Sequence, residues 1–232
     1  MLFVKKKSYK VSQSNGVPLF IGDSHALRLM EGAVDIDIPF LGGAACAGYL
    51  FSTDFFFIKE NNFYFKDHVK PRNPKVCKEL MHLLSHEGPI ISTVGFNVHT
   101  FVKDNFTNVT LDSKSCPEKQ FVSQAFFESL VLEKRKCAIE FYTMLHKHQK
   151  KFYFLSSPRV SFFESSEVYL RFEEHLSNIL TELGGVRIDL EALNLFNKDG
   201  TLLEKYRKSN NDEIHGNELF GSTILSSIIA SS

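Results

Sequence analysis

Three short apolar runs, each stopped by a glycine or a serine-proline turn, are what most constrain how this chain folds. Val17-Pro-Leu-Phe-Ile21 ends at Gly22, Pro89-Ile-Ile-Ser-Thr-Val94 ends at Gly95, and Phe152-Tyr-Phe-Leu155 ends at Ser156-Ser-Pro158. Runs of this length and apolar density suit strands buried on both faces of a sheet. Helix-competent stretches separate them, at residues 26–30, 73–86 and 118–147. Another helix, 167–183, meets Gly184-Gly185, a strong C-cap signal. Val186-Arg-Ile-Asp-Leu190 then reads as a strand and residues 216–227 as a terminal helix. Val34-Asp-Ile-Asp-Ile38 alternates apolar and polar residues and leads to Gly42-Gly43, which reads as a strand and a tight turn. The phenylalanine-rich segment 49–65, broken at Lys59-Glu-Asn-Asn62, reads as a hairpin or paired short strands. Strands alternating with helices predict an α/β fold with a mainly parallel sheet covered on both faces. A chain of 232 residues suits one such domain. The polar region around 99–120 is the expected site of a lid or insertion.

Composition narrows the function classes. Lys plus Arg and Asp plus Glu both number 27, so no basic excess points to nucleic acid. Lys5-Lys6-Lys7 and Lys150-Lys151 are short enough to be solvated surface. No run of about 18 apolar residues is available to span a membrane, and no basic-then-apolar leader opens the chain. A cytoplasmic setting is therefore expected, and the sequons at Asn105 and Asn108 read as chance matches. Cys46, Cys77, Cys116 and Cys137 are scattered without a Cys-x-x-Cys pair, so neither a zinc site nor a disulfide framework is expected. His82 and His86 lie one turn apart but lack an acidic partner at useful spacing, and a surface helix is the expected context. No cofactor is expected.

Strand ends are where parallel α/β sheets place their chemistry. Here three of them carry distinctive turns: Gly22-Asp-Ser24, Gly42-Gly43 and Gly95-Phe-Asn97. Ser24 opens a helical stretch directly after a strand. A serine there has backbone N–H groups beside it to hold an oxyanion, but it needs a base. Either Asp23 or Ser24 also suits the helix cap. Asn211-Asp212-Glu213-Ile214-His215-Gly216-Asn217 places an acid and an imidazole three residues apart before a helix. That spacing lets Asp212 hold one ring nitrogen while the other faces a serine. The plainer reading of the pair is a helix N-cap beside a surface histidine.

Together these residues resemble the SGNH, or GDSL-type, hydrolase superfamily, in four blocks spread over nearly the whole chain. They are Phe20-Ile-Gly-Asp-Ser-His25, Leu41-Gly-Gly-Ala44, Val94-Gly-Phe-Asn97 and Asp212-x-x-His215; Phe154-Leu-Ser-Ser-Pro158 also stands where the family has a strand ending in a proline turn. The resemblance implies a three-layer α/β/α flavodoxin-like fold and a triad of Ser24, His215 and Asp212. It also implies an oxyanion hole from the Ser24 N–H, the Asn97 amide and a block-two glycine. Gly43 is the expected glycine, with Gly42 and Gly48 as alternatives. Val98 departs from the aspartate that commonly follows the family's asparagine. The implied activity is acyl ester cleavage through an acyl-enzyme. His25 after the nucleophile is similar to family members linked to polysaccharide O-acetylation, so the implied substrate is a small-molecule or glycan acyl ester, with O-acetyl groups on carbohydrate favoured. The alternatives are an O-acyltransferase with the same triad and a non-catalytic glycan-binding or assembly protein on the same fold.

Overall fold

The structure is a computed structural model that describes residues 16–69, 71, 73–106, 109–111, 118–158, 166–198 and 200–230. The Lys5–Lys7 run, Asn108 and Cys116 lie outside the described residues, as does part of the expected lid.

The apolar runs form the sheet. Strands β1 (Leu19–Gly22), β2 (Leu41–Ala44), β5 (Ile90–Ser92), β8 (Phe152–Phe154) and β9 (Val186–Arg187) lie in the order β2-β1-β5-β8-β9, and every pair is parallel. Counting only these strands along the chain, the order is 2-1-3-4-5, the flavodoxin-like winding. Side chains alternate between two cores, as the pleat requires. Leu19, Ile21, Ile90, Phe152 and Phe154 enter one apolar cluster, while Phe20, Ile91 and Tyr153 enter the other. The first cluster is covered by α2 (Pro74–Met81), α3 (Val98–Asn105), α4 (Gln124–Lys147) and α5 (Ser166–Glu182); the second lies under α1 (Ser24–Asp35) and α6 (Glu218–Ala230). The expected three layers are present.

The segment 49–65 does form a hairpin, of β3 (Phe56–Lys59) and β4 (Asn62–Phe65), and its phenylalanines are largely core. Tilted and edge-on contacts join Phe55, Phe56 and Phe63 to Phe141 of α4. In the expected lid region, Phe101, Val102, Phe106 and Val109 are buried in the first core. Two short strands, β6 (Val109–Thr110) and β7 (Gln120–Phe121), pair across the rest of it.

Two local expectations and one plainer alternative are corrected. Residues 34–38 are not a strand: α1 continues to Asp35 and ends in a Schellman motif, with Ile38 N–H bonded to Ala33 O at 2.8 Å and Asp37 N–H to Val34 O at 3.2 Å. Asp37 takes the left-handed conformation at φ 54°, where glycine is the usual occupant. Helix α2 stops at Met81 rather than running to residue 86, and His86 is buried, bonding Val17 O at 2.8 Å. Asp212 and His215 lie not at a helix cap but on β11 (Asp212–Gly216), which pairs antiparallel with β10 (Arg207–Ser209). The side chain of Asn217 takes the capping role for α6 by accepting the Phe220 N–H.

Helices α1 and α6 meet at backbone contact. A Cβ on Gly32 would stand 2.2 Å from the Gly221 carbonyl carbon, and one on Gly221 would stand 2.1 Å from Arg28 O. Glycine inside a helix costs about 0.5–1 kcal/mol relative to alanine, so the close approach is what these positions obtain for that loss. Gly221→Ala is expected to destabilise the fold by about 2 kcal/mol, the overpacking of a closed interface exceeding the gain in helix propensity. Urea denaturation of the variant beside the parent protein measures this.

Candidate active site

The site assembles at the carboxyl ends of β1 and β5, the neighbouring strands between which the winding reverses direction. Gly22 ends β1 because no side chain fits there: its Cβ would lie 2.0 Å from the Thr93 hydroxyl oxygen. That hydroxyl donates to Asp23 Oδ1 at 3.0 Å and accepts the Asp23 N–H at 3.2 Å. Asp23, buried, caps α1 by accepting the His25 N–H at 3.0 Å. The cap therefore takes the second N–H of the helix. As the first residue, Ser24 has an N–H with no partner inside the helix. Ser24 is exposed between the buried Asp23 and His25, as a nucleophile has to be.

His215 meets this serine from the other end of the chain. Its Nε2 lies 3.0 Å from Ser24 Oγ, and its Nδ1 lies 3.0 and 3.1 Å from the two Asp212 carboxylate oxygens. A carboxylate only accepts, so Nδ1 carries the proton; Nε2 is then the acceptor that faces the hydroxyl. Asp212 Oδ1 also accepts the N–H groups of His215 at 2.9 Å and Ile214 at 3.2 Å. Burial pushes the Asp212 carboxyl up, but these N–H groups and the imidazole outweigh it and hold it below the usual range. The three residues expected to form a triad are thus joined by hydrogen bonds.

Asn97 stands at the N-cap position of α3 without using its side chain as a cap. The side chain is buried, and Oδ1 meets no donor among the described residues. The glycine beside it is Gly48, the first residue of a 3-10 turn at Gly48–Ser52. A Cβ on Gly48 would lie 2.7 Å from Asn97 Cβ and 2.6 Å from Asp23 Oδ2. The other two glycines are turned elsewhere. Gly42 N–H donates to Glu79 Oε2 at 2.8 Å. For Gly43, the flanking ladder bonds, Leu41 N–H to Pro18 O and Ala45 N–H to Gly22 O, place its N–H on the edge facing β1. Its Cα faces Met30 and Val76. The structure therefore brings Gly48 to Asn97 and leaves Gly43 inside the sheet.

Two further histidines, His25 and His99, lie near Asp23 and His215; the position of His99 close to Asn97 in sequence already made it a candidate to line the pocket, beside a plain loop reading. His25 stacks on His215, with ring centroids 5.4 Å apart and 24° between planes. Both of its ring nitrogens are buried without a partner among the described residues, as is His99 Nδ1. Burial pushes His25 down to about 4; the Asp23 charge opposes this, and His215, His99 and Arg28 add to it. His25 is thereby kept neutral beside His215 at neutral pH. Burial likewise lowers His99. Among the described residues, no group of three or more His, Cys, Asp or Glu is placed to hold a metal ion.

The His25 shift carries a stability consequence. Between its ordinary value of 6.5 and about 4, the unfolded chain binds a proton on this ring and the folded chain does not. The stability is fully present above pH 6.5 and is lost as the pH falls toward 4. His86 and His99 shift in the same direction and steepen the loss. His25→Phe keeps the stack and removes the titration, so its denaturation midpoint is expected to fall less than wild type's across that window.

No protein-family model and no curated protein matches the sequence. Solved structures match the fold. One is named as a lipolytic protein of the G-D-S-L family, from Desulfitobacterium hafniense DCB-2; it aligns with a TM-score of 0.54 at 12% identity, over 94% of this chain and 100% of that one. Another, from Bacteroides fragilis NCTC 9343, is named as an acylhydrolase and aligns with a TM-score of 0.53 at 10% identity, over 95% of this chain and 90% of that one. The chain has the fold of the SGNH, or GDSL-type, hydrolases.

Proposed function

We propose that this chain is a serine esterase that forms an acyl-enzyme on Ser24. The observation that carries the reading is the hydrogen-bonded series from Asp212 through His215 to Ser24, 3.0 Å at each link. Ser24 Oγ attacks the ester carbonyl as its proton passes to His215 Nε2. Asp212 holds the ring in the required tautomer and stabilises the imidazolium. The oxyanion receives the Ser24 N–H, the Gly48 N–H and the Asn97 side-chain amide, with Gly48 taking the place expected of Gly43. One such donor is worth about 3 kcal/mol in the transition state. Collapse of the tetrahedral intermediate breaks the carbon–oxygen bond, and His215 returns the proton to the departing alcohol. Water then takes the place of the alcohol: it attacks the acyl carbon as His215 accepts its proton, the bond from that carbon to Ser24 Oγ breaks, and His215 returns the proton to Oγ as the carboxylic acid leaves.

The acyl group proposed is acetyl, carried on a carbohydrate hydroxyl. Supporting this, the side chains gathered around Ser24 are polar: Asp23, His25, Asn97, His99 and His215. They suit a short acyl group and a hydroxylated carrier better than a long hydrocarbon chain.

Fluorophosphonate labelling and hydrolysis of a short-chain acyl ester test the chemistry. Ser24→Ala is expected to abolish labelling and to lower kcat by about 10⁴-fold or more, and Asn97→Ala to lower kcat by about 10²-fold with KM little changed. Turnover that survives Ser24→Ala removes the nucleophile assignment. Acetate release from O-acetylated oligosaccharides, measured against long-chain esters, tests the substrate.

A further inference from the structure

Four consecutive carbonyls approach Asn97 at the end of β5, and each is held by a side chain from another element. Tyr142 OH lies 3.0 Å from Val94 O, Arg135 Nε donates to Gly95 O at 2.8 Å, Ser157 Oγ donates to Phe96 O at 2.9 Å, and Arg135 Nη2 donates to Asn97 O at 3.4 Å. Arg135 accounts for two of the four. Its Nη1 also donates to Ser52 Oγ at 2.8 Å, at the far end of the 3-10 turn that Gly48 opens. One guanidinium therefore joins the two segments that carry Asn97 and Gly48.

The environment of Arg135 is unusual for a cation. The residue is 3% exposed in the middle of α4, and among the described residues no carboxylate forms an ion pair with it. Its charge is met by backbone carbonyls and by the rings of Phe101 and Phe172, 5.2 and 5.0 Å from the guanidinium carbon. Burial lowers it to about 10, so it stays protonated at neutral pH. Burying a charge without a counter-ion is costly. A rigid planar fork that reaches several acceptors at fixed angles is what arginine supplies in return, and lysine cannot reproduce it.

We propose that Arg135 is a positioning residue for the oxyanion hole: its guanidinium clamps the Gly95–Asn97 turn that follows β5 to the Gly48–Ser52 turn and so sets the separation of the Asn97 and Gly48 donors. The catalytic consequence rests on the esterase reading, whereas the clamp itself does not. A displacement of about 1 Å at an oriented donor can cost about 10²-fold in rate.

The test compares wild type with Arg135→Met, Arg135→Lys and Ser52→Ala by amide hydrogen exchange, by kcat and KM on a short-chain acyl ester, and by thermal midpoint. Faster exchange confined to residues 48–52 and 95–98 is expected in all three variants. A fall in kcat of about 10²-fold for Arg135→Met, with KM unchanged, is expected beside it. Arg135→Lys should recover only part of that loss, and Ser52→Ala should lower kcat several-fold at an unchanged thermal midpoint. Should Arg135→Met fail to fold, Ser52→Ala tests the same link alone. Unchanged exchange in both segments overturns the clamp. Exchange that quickens while kcat stays within twofold of wild type overturns its role in positioning. If wild type neither labels with fluorophosphonate nor turns over ester, the esterase reading fails, and exchange alone decides the clamp.

Discussion

The backbone contact between Gly32 and Gly221 is the constraint on which the site depends. Helix α1 leaves the sheet directly from β1, so the position of Ser24 is fixed by the strand ladder. Nothing in that ladder reaches His215, which is 191 residues away in sequence. The link is α6, which begins two residues after β11 and lies against α1 closely enough that neither Gly32 nor Gly221 has room for a methyl group. Side chains of ordinary size there would hold the helices further apart and would carry the imidazole out of reach of the hydroxyl. Packing on the second core, through Phe220, Ile224 and Ile228 against Leu29 and Ala33, supplies the apolar burial that keeps the two helices together.

Around this contact the interior breaks its own rules. The cores are phenylalanine-rich and apolar, yet Asp23, His25, Thr93, Asn97 and Arg135 are all nearly inaccessible at the ends of β1 and β5. Some are fully satisfied, as in the Asp23–Thr93 exchange of hydrogen bonds. Others are not, since His25 and Asn97 bury polar atoms without partners. Unpaired buried polar groups cost stability, and locations where local consistency fails are commonly functional ones. His25, Asn97 and His99 bring such atoms together near the turning point of the sheet, which makes the location of the candidate site a physical statement as well as a resemblance.

Much of this was legible in the residues. The buried strands announced themselves as short apolar runs, and Gly184-Gly185 closes α5 as expected. Residues 34–38 read as a strand because Val34, Ile36 and Ile38 alternate with polar residues, while the real β2 is Leu-Gly-Gly-Ala, with almost no side chains to pattern. A Schellman motif closed by aspartate leaves no glycine signal to mark the end of the helix. The choice among three glycines depended on which way each N–H points, and that is a property of strand register rather than spacing. Likewise the β10–β11 hairpin has few apolar residues to reveal it. Arg135 sits between Lys134 and Lys136 on a long helix, where nothing local separates the buried cation from its solvated neighbours.

The Asp212–His215 pair is a local unit: one short strand holds the acid, the ring and the N–H groups that orient the acid. Only the single bond from Nε2 to Ser24 requires tertiary assembly. During synthesis Ser24, Gly48, Asn97 and all five strands of the central sheet emerge from the ribosome before residue 212 does. Until α6 docks on α1, the chain carries a serine with no base. The proposed chemistry therefore requires the chain to be made through β11 and α6, and a partly made chain ending before β11 has Ser24 without His215.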